Sequence, residues 1–119
     1  MDSIKIYAYC RIDCPHSNKT KLLLEQLPIN YKRQIILVEN DELAKMNIKT
    51  KLKEILNGYS TFPIILYKTF KNKLILVGGN SDLEKLLNIL PSIQSKEDIL
   101  ELKLSKGQAK LLYYLFLNR

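Results

Sequence analysis

Residues 3–28, SIKIYAYCRIDCPHSNKTKLLLEQLP, change character once, and that change sets the fold. From Ser3 to Tyr9 polar and apolar residues alternate around Ile4 and Ile6, and the run then turns continuously apolar or aromatic, as a strand with a buried face does. Beyond Cys14 the period lengthens. Leu22, Leu23, Leu24 and Leu27 cluster at helical spacing, Pro15 stands where a first helical turn tolerates proline, and Pro28 closes the segment. A strand thus leads through Cys10 into a helix with Cys14 at its N-terminus. A thiol in that position ionises more readily, because helix amides and nearby cations favour the thiolate. Arg11 and Lys19 supply such charge, and Asp13 opposes it.

Working outward, Ile35 to Val38 reads as a second strand, expected to be buried on both faces. Asn40 or Asp41 caps a helix expected to run to about Leu56, with Leu43, Met46, Leu52, Ile55 and Leu56 on its apolar side and Gly58 past its end. Strand, helix, strand in succession implies a parallel βαβ unit. Pro63 to Tyr67 and Leu74 to Val77, separated by polar residues, read as an antiparallel hairpin that ends at Gly78-Gly79. Asn80, Ser81 and Asp82 then offer caps to a helix carrying Leu83, Leu86, Leu87 and Leu90.

After Pro91 the tail has a charged stretch, Lys96 to Glu101, and an apolar one within Lys110 to Arg119. It predicts one or two helices interrupted near Gly107. Leu111 to Leu117 are all apolar or aromatic, and such a run is expected to pack against the body rather than face water. The chain accordingly divides into a domain over residues 1–90 and a helical extension over 91–119 packed on it.

With 119 residues, 46% hydrophobic and 26% charged, the chain has the composition of one globular unit. The net charge of +7 invites a polyanionic partner. The distribution argues against nucleic acid, since lysines are scattered and no arginine-rich arm or basic run with interleaved aromatics occurs. No apolar run suits a signal peptide or a membrane span, so a reducing, cytoplasmic setting is expected, in which Cys10 and Cys14 are reactive or buried rather than cross-linked. For Cys10 burial is the expectation. Two cysteines and one histidine in one short segment make a poor zinc site, and no metal is assigned.

Three segments carry a family resemblance. Cys14-Pro15-His16-Ser17 resembles the Cys-Pro-Tyr-Cys or Cys-Pro-Tyr-Ser active site of glutaredoxins, following a first strand and opening a helix. Thr61-Phe62-Pro63 resembles the family's Thr-Val-Pro segment, and Gly78-Gly79-Asn80-Ser81-Asp82 its double-glycine signature. Together they span residues 3 to about 90 in the family's order. The resemblance implies a thioredoxin fold, an α/β architecture with a four-stranded mixed sheet flanked by helices, here with a helical C-terminal extension.

It also implies a glutathione site. Arg11, three residues before the nucleophile, would meet the glycine carboxylate of glutathione. Phe62 would pair its backbone with the glutathione cysteine, and Pro63 would be a cis-proline. Ser81 through its backbone and Asp82 through its carboxylate would hold the γ-glutamyl end. Ser17 replaces the second cysteine, which leaves a monothiol route through Cys14, and His16 replaces the usual tyrosine as a solvent-facing neighbour. The implied function is a glutathione-dependent thiol-disulfide oxidoreductase acting on glutathionylated proteins or small disulfides, with glutathione as cosubstrate and the chain a monomer or weak dimer. The alternatives are a [2Fe-2S] cluster held by Cys14 and glutathione, which Pro15 disfavours because cluster carriers of the family have Cys-Gly-Phe-Ser, and a non-catalytic adaptor.

Overall fold

The computed structural model describes residues 5–12, 15–27, 32–39, 41–69 and 71–118. Strands β1 (Lys5–Arg11), β2 (Lys32–Val38), β3 (Ile64–Lys68) and β4 (Leu74–Gly78) form one sheet in the order β2-β1-β3-β4. β1 runs parallel to β2, with Tyr9 opposite Ile36, and antiparallel to β3, with Ala8 opposite Ile65. β3 and β4 make the expected antiparallel hairpin, with a register shift between Ile65 and Leu66.

Side chains alternate across a strand, so each strand feeds two cores. Ile6, Ala8 and Cys10 of β1 join Ile65, Tyr67 and Val77 on one face. Helices α1 (Pro15–Glu25), α4 (Asn80–Ile89), α5 (Lys96–Glu101) and α6 (Lys106–Asn118) cover that face through Leu24, Leu83, Leu86, Ile99, Leu111, Leu112 and Leu115. Burying each such leucine contributes about 1.5–3 kcal/mol relative to exposing it. The other face, with Tyr9, Ile64 and Leu66, is covered more thinly by α2 (Glu42–Lys51) and α3 (Lys53–Leu56), which bury Leu52 and Leu56 against it. The expected burial of Cys10 is met in full.

Three expectations from the pattern need correction. β2 is an edge strand: Lys32, Arg33 and Gln34 are exposed and Leu37 is 55% exposed, so its apolar run is not buried on both faces. The second helix does not run unbroken to Leu56 but breaks at Leu52 (φ −105°), which lets Leu52 and Leu56 turn onto the sheet while Leu43 and Met46 remain exposed. Its N-cap is Asp41, whose carboxylate accepts from the Ala44 N–H at 2.8 Å. The tail breaks between Glu101 and Lys106, and Gly107 lies inside α6. There it faces the Leu76 carbonyl so closely that a Cβ would collide with it. Glycine is what lets the helix backbone rest on β4.

Candidate functional site

Arg11 closes β1 and Pro15 opens α1, its missing N–H falling where the helix has no use for one. The predicted nucleophile Cys14 and its neighbour Asp13 lie outside the described residues. His16 is exposed, as expected, and its carbonyl accepts from the Thr20 hydroxyl at 3.1 Å. Ser17 points inward instead, 1% exposed, and its hydroxyl has no hydrogen-bond partner among the described residues. Lys19, a sequence-level source of charge for the thiol, is paired with Glu84 of α4 at 2.9 Å.

The second wall follows α3. Asn57 (φ 46°) and Gly58 (φ 94°) turn the chain in the left-handed region, and the Tyr59 N–H donates to the Leu56 carbonyl at 3.0 Å. This turn delivers the Phe62–Pro63 peptide, which is cis as the family resemblance implied, to the start of β3. It also brings the Tyr59 hydroxyl against Gly79, where any Cβ would collide with it. Burial pushes the Tyr59 phenol above its ordinary value, a hydrogen bond with Thr61 acts against this, and the charge of Asp82 adds to it.

The third wall is the start of α4. Gly78 (φ 133°) occupies a backbone region that side chains rarely adopt, and this swings the Gly79 N–H onto Asp82 Oδ2 at 2.9 Å. Asp82 therefore acts as a helix cap through Oδ2. Asn80 is 8% exposed with its Oδ1 unpartnered among the described residues, and Ser81 is exposed. The amides at the head of this ten-residue helix carry partial positive charge.

Together these walls enclose a cavity of about 420 Å³, lined by His16, Tyr59, Thr61, Phe62, Pro63 and the Gly79–Asp82 segment. Four of the five residues expected to bind glutathione meet there: Phe62, Pro63, Ser81 and Asp82. Among the described residues Arg11 is not part of this wall. It stands at the end of β1 within electrostatic reach of Glu42. The Glu42 carboxyl is held below its usual range, chiefly by its 2.7 Å contact with Lys45, with Lys49 and Arg11 adding to the effect. Lys49 in turn lies 6.0 Å from the centroid of the Phe62 ring. Lys49 of α2 thus stands beside Phe62 of the cavity wall, and the Asp82 carboxylate and the head of α4 line the same cavity. Such an arrangement is suited to a zwitterionic peptide.

A sequence profile of the glutaredoxin family matches residues 4–69, more than half of the chain. The chain belongs to the glutaredoxin family. Among solved structures, the crystal structure of glutaredoxin 1 from Francisella tularensis complexed with cacodylate is similar to it. The two share 20% identity at a TM-score of 0.51 over 76% of this chain and all of that one. This likeness establishes the thioredoxin fold. No curated protein matches the chain significantly.

Membership of the glutaredoxins carries the coarse activity, thiol-disulfide oxidoreduction, and glutathione is the cosubstrate the family generally uses. The profile match stops at residue 69, so α4 and the two C-terminal helices lie beyond it. Sequence reasoning did not single out Tyr59 and Asn80, which line the cavity, or Lys49, which stands beside Phe62. Asn80 sits inside a quoted motif and could have been named, whereas Tyr59 and Lys49 reach the site only through the turn after α3 and the packing of α2. Among the described residues, no cluster of three or more His, Cys, Asp or Glu side chains is disposed to hold a metal ion, and no helix is long and apolar enough to cross a membrane.

Proposed function

We propose that the protein reduces glutathione mixed disulfides by a monothiol mechanism through Cys14. The Cys14 thiolate attacks the glutathione sulfur of a mixed disulfide, forming a Cys14–glutathione disulfide and expelling the substrate thiolate, which takes a proton from water. A second glutathione thiolate then attacks that disulfide at the glutathione sulfur, releasing oxidised glutathione and restoring the Cys14 thiolate. Ser17 offers no resolving thiol, so each turnover consumes one free glutathione, which leaves joined to the substrate's glutathionyl group as oxidised glutathione.

The observation that carries this reading is the 420 Å³ cavity, which joins His16 of the Cys-Pro-His-Ser segment to Phe62, Pro63, Ser81 and Asp82. In this reading Phe62 pairs its backbone with the cysteinyl part of glutathione. The Ser81 backbone and the Asp82 carboxylate take the γ-glutamyl carboxylate and ammonium, and Arg11, aided by Lys49, takes the glycine carboxylate. Partners are glutathionylated proteins or small disulfides in a reducing compartment, and the chain acts as a monomer or weak dimer.

The test is turnover of the mixed disulfide of hydroxyethanethiol and glutathione, with excess glutathione and coupled glutathione reductase. Cys14→Ser loses at least about 10³-fold in rate. Cys10→Ala keeps turnover, because Cys10 is a core side chain of β1. Asp82→Asn raises the KM for glutathione roughly tenfold, the loss of one charge-assisted contact. Wild-type protein without turnover overturns the reading.

A further inference from the structure

At the opposite end of β3, about 17 Å along the strand from Pro63, a second groove of about 450 Å³ lies between the β3–β4 turn and α6. Four lysines rim it: Lys71 and Lys73 from the turn, Lys106 and Lys110 from the helix. Among the described residues no acidic side chain lines it, and none of the four lysines makes an ion pair. The floor and walls are aromatic and apolar, with Tyr67 nearly buried at the base and Tyr113, Tyr114 and Leu117 along the side.

The groove is built rather than incidental. Lys106, Lys110, Tyr113 and Leu117 follow one another at i, i+4, i+7 and i+11, so a single stripe of α6 faces it. The opposing turn is fixed by Thr69, whose N–H donates to the Lys73 carbonyl at 3.0 Å and whose hydroxyl accepts from the Lys73 N–H at 3.2 Å. Gly107 and Gln108 seat the helix on β4, the Gln108 amide donating to the Val77 carbonyl at 2.9 Å.

We infer that this groove binds a nucleotide bearing two or more phosphates, its base against the tyrosine walls and its phosphates between the lysines of the turn and those of α6. A bare phosphate would leave the aromatic walls unused, and a fatty carboxylate would bring one charge to four cations. A nucleoside diphosphate unites a planar ring, which stacks on aromatic side chains, with a polyanion of matching charge. The volume lies in the range of pockets that hold small ligands. Charge scattered through the sequence is thereby concentrated on one feature, at a site that does not depend on the thiol chemistry.

Isothermal titration calorimetry of the full chain with ADP, adenosine, pyrophosphate, octanoate and a twelve-nucleotide single strand tests this. ADP binds with a Kd on the order of 0.1 mM, and adenosine, pyrophosphate and octanoate each bind at least about tenfold more weakly. The Lys73→Ala/Lys110→Ala variant, altered only at exposed side chains, weakens ADP at least about tenfold while keeping its far-UV circular dichroism and its disulfide turnover. Tyr114→Leu weakens ADP but leaves pyrophosphate unchanged. The proposal fails if ADP does not bind at millimolar concentration, if pyrophosphate or octanoate matches it, or if the lysine variant is indifferent. Binding of the oligonucleotide in the absence of ADP binding also overturns it and points to a polynucleotide instead.

Discussion

Tyr59 couples the state of the site to pH. The folded protein holds its phenol neutral above the ordinary value because burial disfavours the phenolate, and the neighbouring Asp82 charge adds to this. The unfolded chain releases that proton first, from about pH 10 upward. The folded state then binds more protons than the unfolded one, so the contribution of Tyr59 is fully present below pH 10 and is lost as pH rises through the folded value. Tyr59→Phe is therefore expected to flatten the fall in the urea midpoint as pH rises above about 10. The same variant removes one late-titrating phenol from the 295 nm absorbance curve. A wild-type slope retained in the variant would place the titration elsewhere, for example at Tyr67, whose phenol is also raised, by burial first and by Tyr114 second.

At the scale of elements, the contact between α6 and β4 tolerates least change. Gly107 meets the backbone carbonyl of Leu76, which cannot rotate aside as a side chain can. Gly107→Ala forces α6 off the strand and is expected to cost about 1–3 kcal/mol, as overpacking does. For a domain of this size that lowers Tm by roughly 4 °C per kcal/mol, read in a thermal melt. Gln108→Ala removes only the bond to the Val77 carbonyl and costs about 1 kcal/mol. A Gly107→Ala melt no lower than that of Gln108→Ala would contradict this account of the close approach. Helix propensity favours alanine at position 107, so the sign of the change separates intrinsic preference from packing. The break between α2 and α3 follows the same logic: Leu52 and Leu56 are drawn to the sheet, and the helix bends for them although its sequence would continue.

For the molecule as a whole, the tail is part of the core. Ile93, Ile99, Leu111, Leu112 and Leu115 share one cluster with Ile6, Ala8 and Ile65 of the sheet. A chain ending at residue 90 would expose Val77, Leu83 and Leu86 and is expected to lose its cooperative thermal transition, with the full chain unfolding in one step by near- and far-UV circular dichroism. A cooperative, active 1–90 fragment would show the extension to be dispensable. The sequence alone determined the element order, the hairpin, the tail helices and the three motifs of the family. Each of these rests on local signals, such as the period of apolar residues, the caps and the prolines. Only the tertiary structure decided which apolar residues stay in water, as Leu37, Leu43 and Met46 do, because a period marks a preferred face and not whether another element covers it. It likewise decided that Tyr59 reaches Gly79, and that lysines more than thirty residues apart rim one groove. Those juxtapositions arise from chain reversal between elements, and no local period in the sequence encodes them.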